Sequence, residues 1–261
     1  MGEVRDSTST AVERALDILE AIGRRGGGMT NSEISRRLHI PKSSASYILR
    51  TLERRGYLRR DRFTGKYKLG LKVLNLSHRA LMGLDIRDVA HPVLQQLAER
   101  TRLTANLAIL DHGEVVYIEK AEAPSFIKMD TWVGRRLPVH ATSVGKALVA
   151  FLPPDEVKDI LKEWGLSRLT PKTITVRSRF LRELERVRAQ GYAVDDEESS
   201  PGVRCVGAPI FDSFGKVEAA VSVSGTTSQI DSAHLPRIAA LVMEAARKIS
   251  RQLGYRAPHG H

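Results

Sequence analysis

One cysteine, Cys205, stands in the run Ser-Pro-Gly-Val-Arg-Cys-Val-Gly-Ala-Pro-Ile-Phe-Asp at 200–212. A cysteine nucleophile needs a base, commonly histidine, within hydrogen-bonding reach, and a group that orients the base. His140 is the histidine in the most promising segment, and Asp195 is the acid that would orient it. That triad is conceivable, but no local nucleophile motif surrounds Cys205. Its run reads as a strand, where cysteine serves as a small apolar side chain. The expectation is a chain that is not an enzyme. Metal chemistry fares no better: one Cys and eight scattered His show no paired ligand spacing. Thr142-Ser-Val-Gly-Lys146 lacks the first glycine and the spacing of a phosphate loop. Neither a metal nor a cofactor is expected. Trp132 and Trp164 read as core or interface residues, and the acidic residues 196–198 as a solvated loop rather than a cation site.

The second chemistry is basic. Residues 1–80 hold 17 Lys and Arg against 8 Asp and Glu, a net +9, whereas residues 81–261 carry only +2 of the total +11. A basic third on a nearly neutral remainder implies two domains with different partners, the first a polyanion. A lone cysteine excludes an internal disulfide and suits a reducing cytoplasm. The polar, charged start lacks the apolar core of a signal peptide. No run approaches about 18 uncharged apolar residues, so no membrane span and a cytoplasmic location are expected.

The elements that must position the basic residues follow from the pattern. Val12, Ala15, Leu16, Leu19 and Ile22 form a helical stripe, which the glycines at 26–28 end. Thr30 with Glu33 is a capping box opening a short helix with Ile34 and Leu38 inward. Pro41 suits the first turn of a third helix, and Gly56 ends it. Ala45, Ile48, Leu49 and Leu52 make its buried face, leaving Lys42, Ser43, Ser44, Ser46, Tyr47 and Arg50 near its start or away from that face. Two short strand-like runs around Gly65 carry Arg59, Arg60, Arg62, Lys66 and Lys68. The order is that of a winged helix-turn-helix, with the third helix in the major groove of double-stranded DNA and the basic hairpin along the backbone or minor groove. The DNA-binding residues expected are Lys42, Ser43, Ser44, Ser46, Tyr47, Arg50, Arg60, Arg62 and Lys66.

Beyond residue 70 a linker helix with an apolar surplus (Leu71, Leu74, Leu81, Leu84) is expected to meet a second subunit, and Pro92 to kink or break the next helix near Ala90–His91. Strand pairs then alternate with helices at about 144–151, 154–164 and 177–190, and a last helix carries Leu235, Ile238, Val242, Ala245, Ile249 and Leu253 on one face. Hairpins separated by helices, without regular βαβ alternation, indicate an α+β domain with an antiparallel sheet. The expected division is a winged helix-turn-helix over 1–70, a linker helix over 71–84 and a second domain over 85–261.

Four segments in order, "TNSEISRRLHIPKSSASYILRTLERRGYL", "LPVHATSVGKALVAFLP", "QGYAVDDEESSPGVRCVGAPIFD" and "AAVSVSG", resemble the IclR family of bacterial transcription regulators. The resemblance runs from about residue 10 to 254. It implies a GAF-like effector-binding domain, and dimers often paired into tetramers on DNA. It places an effector pocket at Phe126, Met129, Leu137, Ser143, Val144, Asp195, Val203, Cys205, Ser222 and Ser224. The residues support this placement in part. Ser222 and Ser224, two apart on a strand, share a face. Phe126, Met129 and Leu137 supply an apolar wall, and Thr142 or Ser143 caps a helix whose start favours a small anion. Cys205 then belongs to the pocket wall. The expected function is a DNA-binding transcriptional regulator, a repressor of a catabolic operon controlled by a small organic acid, working as a homodimer or homotetramer. The alternatives are an activator of the same architecture or a small-acid-processing enzyme using Cys205.

Overall fold

The computed structural model of the chain describes residues 10–82, 85–124 and 129–256. Phe126, expected in the pocket, lies outside the described residues. The chain divides into two compact units, Met1–Gly83 and Leu84–His261.

The first unit holds α1 (Thr10–Arg24), α2 (Asn31–Leu38), α3 (Lys42–Arg54), β1 (Leu58–Arg60), β2 (Tyr67–Leu69) and α4 (Lys72–Met82). The capping box is formed: Glu33 N–H donates to Thr30 Oγ1 (3.3 Å) and Thr30 N–H donates to Glu33 Oε2 (2.8 Å). His39 adopts a left-handed φ of 53° after α2, and Pro41 precedes α3, so the chain turns sharply between them. Ile34, Ile40, Ala45, Leu49, Leu58 and Tyr67 share one core with Ile18, Ala21 and Ile22. The expected stripe on α1 holds only toward its C-terminal end, since Val12 and Leu16 are 58% and 54% exposed. The core offered by α2, α3 and the hairpin is small, and only Ile18, Ala21 and Ile22 of α1 are buried in it. Met29 exchanges two backbone hydrogen bonds with Tyr67 (3.0 and 2.7 Å), which adds a bridge to the hairpin. Leu71, Leu74 and Leu76, next to and within α4, are exposed.

The second unit holds α5 (Asp85–Thr101), β3 (Thr104–Asp111), β4 (Glu114–Ala121), β5 (Arg136–Pro138), α6 (Ser143–Val149), α7 (Pro154–Trp164), α8 (Arg177–Gln190), β6 (Ala193–Asp196), β7 (Val203–Phe211), β8 (Val217–Thr226) and α9 (Leu235–Gln252). Six strands form one antiparallel sheet in the order β5-β4-β3-β8-β7-β6. Pro92 does not break α5, which runs through it. Proline removes a single backbone bond, and Ile86, Ala90, Val93, Leu94 and Leu97 are buried along the helix. Side chains alternate along the strands, so register puts Thr104, Asn106, Ser222, Ser224, Cys205 and Gly207 on one sheet face. Helix α6 lies on that face. A Cβ on Gly207 would fall 3.0 Å from the Val144 nitrogen and 2.9 Å from the Ser143 carbonyl carbon, so only glycine lets the helix start approach β7 this closely.

Candidate functional site

On the first unit, Lys42, Ser43, Tyr47 and Arg50 of α3 are exposed, and Ser44 and Ser46 are half-buried. Tyr47 is 70% exposed although aromatic, so it is free to meet a partner rather than the core. Asn31 Nδ2 donates to the Lys42 carbonyl (3.3 Å) and ties the start of α3 to α2. Arg60 and Arg62 are exposed at the hairpin and Lys66 is half-buried. Asp61 shapes the hairpin tip by accepting from the Phe63 and Thr64 N–H groups (both 3.0 Å), and those bonds hold its carboxyl below the usual range. Phe63 at that tip is fully exposed. A cleft of about 440 Å³ brings Ser46 and Arg50 of α3 together with Arg60 of the hairpin, with Glu53 as its acidic member. Lys68 differs from the other wing cations, with its Nζ 3.9 Å from Asp61. A helix flanked by basic side chains, with a basic hairpin beside it, presents donors to phosphates and base edges.

The second unit encloses a cavity of about 130 Å³ between the sheet, the start of α6 and the segment before β5. Met129, Leu137, Ser143, Asp195, Val203, Cys205 and Ser224 all line it. Two residues of the expected set do not. Val144 is fully buried among the apolar residues of α6, α7 and α8, because the helix turns its side chain away from the cavity. Ser222 is buried opposite Gly207, with its Oγ unpartnered.

Asp195 is the electrostatic centre of this wall. Its Oδ1 accepts from the Glu198 N–H (2.7 Å) and the Ser199 N–H (3.2 Å), and its Oδ2 from the Ser199 hydroxyl (2.5 Å). Burial nevertheless dominates and pushes its carboxyl up to about 6. Burial likewise pushes the Cys205 thiol and the Tyr117 phenol upward, so both stay neutral proton donors. Cys205 Sγ lies 3.2 Å from Ser224 Oγ, which also accepts from Asn106 Nδ2 (3.3 Å). The conceivable triad is not assembled. His140 Nε2 is 2.9 Å from the Ser167 carbonyl, its ring stands edge-on to Phe180, and burial lowers its pKa.

Several lining residues were not expected from sequence: Tyr117, Thr131, Arg135 and Ser199. Lys146 was also missed. It is fully buried, and its Nζ donates to the Val194 carbonyl (2.5 Å) and to Glu198 Oε1 (2.6 Å), which anchors the 195–199 turn to α6. Its sequence signal is a lysine inside an otherwise uncharged stretch, 137–153, on a helix buried throughout. Among the described residues no group of His, Cys, Asp and Glu could hold a metal ion, and no helix is long and apolar enough to cross a membrane.

Comparison with known proteins agrees with this architecture. Residues 11–62 match the IclR helix-turn-helix domain, and residues 78–251 match the bacterial transcriptional regulator IclR C-terminal domain. The chain is 38% identical over 247 residues to the HTH-type transcriptional regulator XynR of Escherichia coli (strain K12), covering 95% of this chain and 98% of that protein. It is 35% identical over 244 residues to the HTH-type transcriptional repressor AllR of Klebsiella pneumoniae, covering 94% and 90%. The crystal structure of an IclR homolog complexed with 4-hydroxybenzoate, from Microbacterium hydrocarbonoxydans, superposes with a TM-score of 0.80 at 28% identity, covering 94% of this chain and 99% of that one. These relatives are regulators of transcription, not enzymes. The chain belongs to the IclR family of bacterial transcriptional regulators and is a DNA-binding regulator with an N-terminal helix-turn-helix.

Proposed function

We propose that this regulator is a cytoplasmic repressor of a catabolic operon, released by a small organic acid bound in the cavity of its second unit. The observation that carries the reading is the cavity itself. It holds about 130 Å³, below the roughly 300–1,000 Å³ of sites for drug-sized ligands, and mixes apolar Met129, Leu137 and Val203 with polar Ser143, Asp195 and Ser224. Such a lining suits a small acid with further polar groups. A relative named as a repressor, and another solved with a bound aromatic acid, support the same reading. Lys42, Ser43, Ser44, Ser46, Tyr47 and Arg50 would read the operator, and Arg60, Arg62 and Lys66 would hold its backbone. Exposed Leu71, Leu74 and Leu76 would join two chains, placing two recognition helices on an inverted repeat. The acid acts only through a difference in its affinity for the DNA-competent and released arrangements.

Gel-shift titration tests this on DNA upstream of the protein's own gene and its neighbours, at two salt concentrations, with and without small carboxylates and sugar acids. Sequence-selective binding that one acid abolishes is the expected result. Sequence-independent binding that ignores every acid contradicts the effector reading.

A further inference from the structure

Several polar groups around the cavity already have partners. Asp195 accepts three hydrogen bonds, and Ser224 Oγ meets Asn106 and Cys205. Among the other lining groups, two stand out between β4 and β5. Thr131 Oγ1 is buried with no hydrogen-bond partner. The Arg135 guanidinium makes no hydrogen bond among the described residues. Its one acidic neighbour there is Asp130, 4.0 Å away and 91% exposed, a contact that solvent largely screens. The guanidinium is fixed by other means: it lies 4.8 Å from the centroid of the Trp132 ring, and only about a quarter of the side chain (27%) is exposed. An oriented, half-buried arginine whose donors no described residue takes, lining one cavity with a buried unpartnered hydroxyl, is the arrangement that a carboxylate completes, because guanidinium and carboxylate match in plane and spacing.

The cavity is also polarised. Arg135 stands just before β5, whereas Asp195 lies on β6 with Glu198 close by, and both Arg135 and Asp195 act on Tyr117 and Cys205 between them. The positive pole thus lies toward the segment before β5, and the acidic pole at the end of β6. We propose that Arg135 and Thr131 bind the ligand's carboxylate, which directs its hydroxyl or oxo groups toward Asp195, Ser199 and Ser224 and makes the site selective for hydroxy- or oxo-monocarboxylates. A second carboxylate on the ligand would face Asp195 and be rejected. This inference rests on the reading of the cavity as an acid site and deepens it. Arg135 becomes the residue that tells an acid from its neutral analogue.

The test is calorimetric titration of the full chain with glycolate, pyruvate and D-gluconate. Each acid is matched with its amide and, for size, with the dicarboxylate tartronate. Wild type is compared with Arg135→Gln, Arg135→Lys and Thr131→Val. The expected result is at least one acid bound at least tenfold more tightly than its amide and than tartronate. Arg135→Gln removes that preference, weakening the acid at least tenfold more than its amide. Arg135→Lys restores part of it, and Thr131→Val weakens acid binding several-fold. An acid that binds wild type and Arg135→Gln equally overturns the proposal and leaves the effector reading standing. If no acid of the panel binds wild type, the acid-site reading falls and this inference falls with it.

Discussion

The residues proposed to touch DNA stand in or near solvent: Lys42, Ser43, Tyr47, Arg50, Arg60 and Arg62 are exposed, and none is needed to fill the core of the first unit. The polar residues around the cavity are the reverse. Ser143, Asp195, Cys205 and Ser224 are buried, and Lys146 behind them has no exposure at all. In the first unit, function is laid over a fold that stands without it. In the second, the same hydrogen bonds hold the fold and shape the site. Substitutions should therefore separate function from stability in one unit and entangle them in the other.

Breaking the buried pair gives the largest effect. Lys146→Ala leaves Glu198 buried without its cation, and loss of one partner of such a pair costs about 3–5 kcal/mol. Chemical denaturation should show this loss in the second unit. A cost below about 1 kcal/mol would mean that the pair is as dispensable as a surface one.

Arg50→Ala makes the opposite case. It should weaken cognate DNA by about 1–3 kcal/mol and random DNA less, with stability changed by no more than about 0.5 kcal/mol. Quantitative gel shifts on both DNAs check this. Equal losses on the two would make Arg50 a backbone contact.

The buried acid adds a pH signature. Burial pushes the free Asp195 carboxyl up to about 6, and a ligand carboxylate held across the cavity at Arg135 would raise that value further. Binding would then take up a proton. Acid affinity should be full below pH 6 and fall as pH rises through 6 toward the bound-state value, by at most about tenfold per pH unit. Asp195→Asn should flatten the profile in a calorimetric pH series, leaving the charges of Lys146, Glu198 and Arg135 in place. The smallest effect belongs to the wing. Neutralising Arg60, Arg62 or Lys66 singly should lower the slope of log affinity against log salt by about 1 for each phosphate that the side chain had neutralised. An unchanged slope would take that residue off the DNA.

Legibility in the sequence follows the same divide. The capping box at Thr30 and Glu33, the αL glycine Gly56 after α3 and the hairpin around Gly65 are local devices, written in a few adjacent residues. Both hairpins of the sheet and helices α6 to α9 were legible from period and turn residues for the same reason. Periodicity does not reveal which end of a helix reaches the core, so Val12 and Leu16 were placed inward on α1 and are exposed. Nor does proline's lost bond reveal that packing along α5 will hold the helix together at Pro92. The cavity was legible only through resemblance, because its walls come from β4, the segment leading into β5, β5, β6, β7, β8 and α6, whose adjacency is a property of the sheet order. Lys146 and Arg135 were not singled out in the sequence: the first is removed from water and the second brought to the cavity lining only by the fold.

The central claim is that occupancy of the cavity and DNA affinity are coupled. Its most direct test is calorimetric titration of the releasing acid into the free protein and into its complex with the operator. If the acid lowers operator affinity by some factor, linkage requires the operator to lower acid affinity by the same factor. The account predicts matching factors, on the order of 5–150-fold. Equal acid affinity for the free and DNA-bound protein would contradict it.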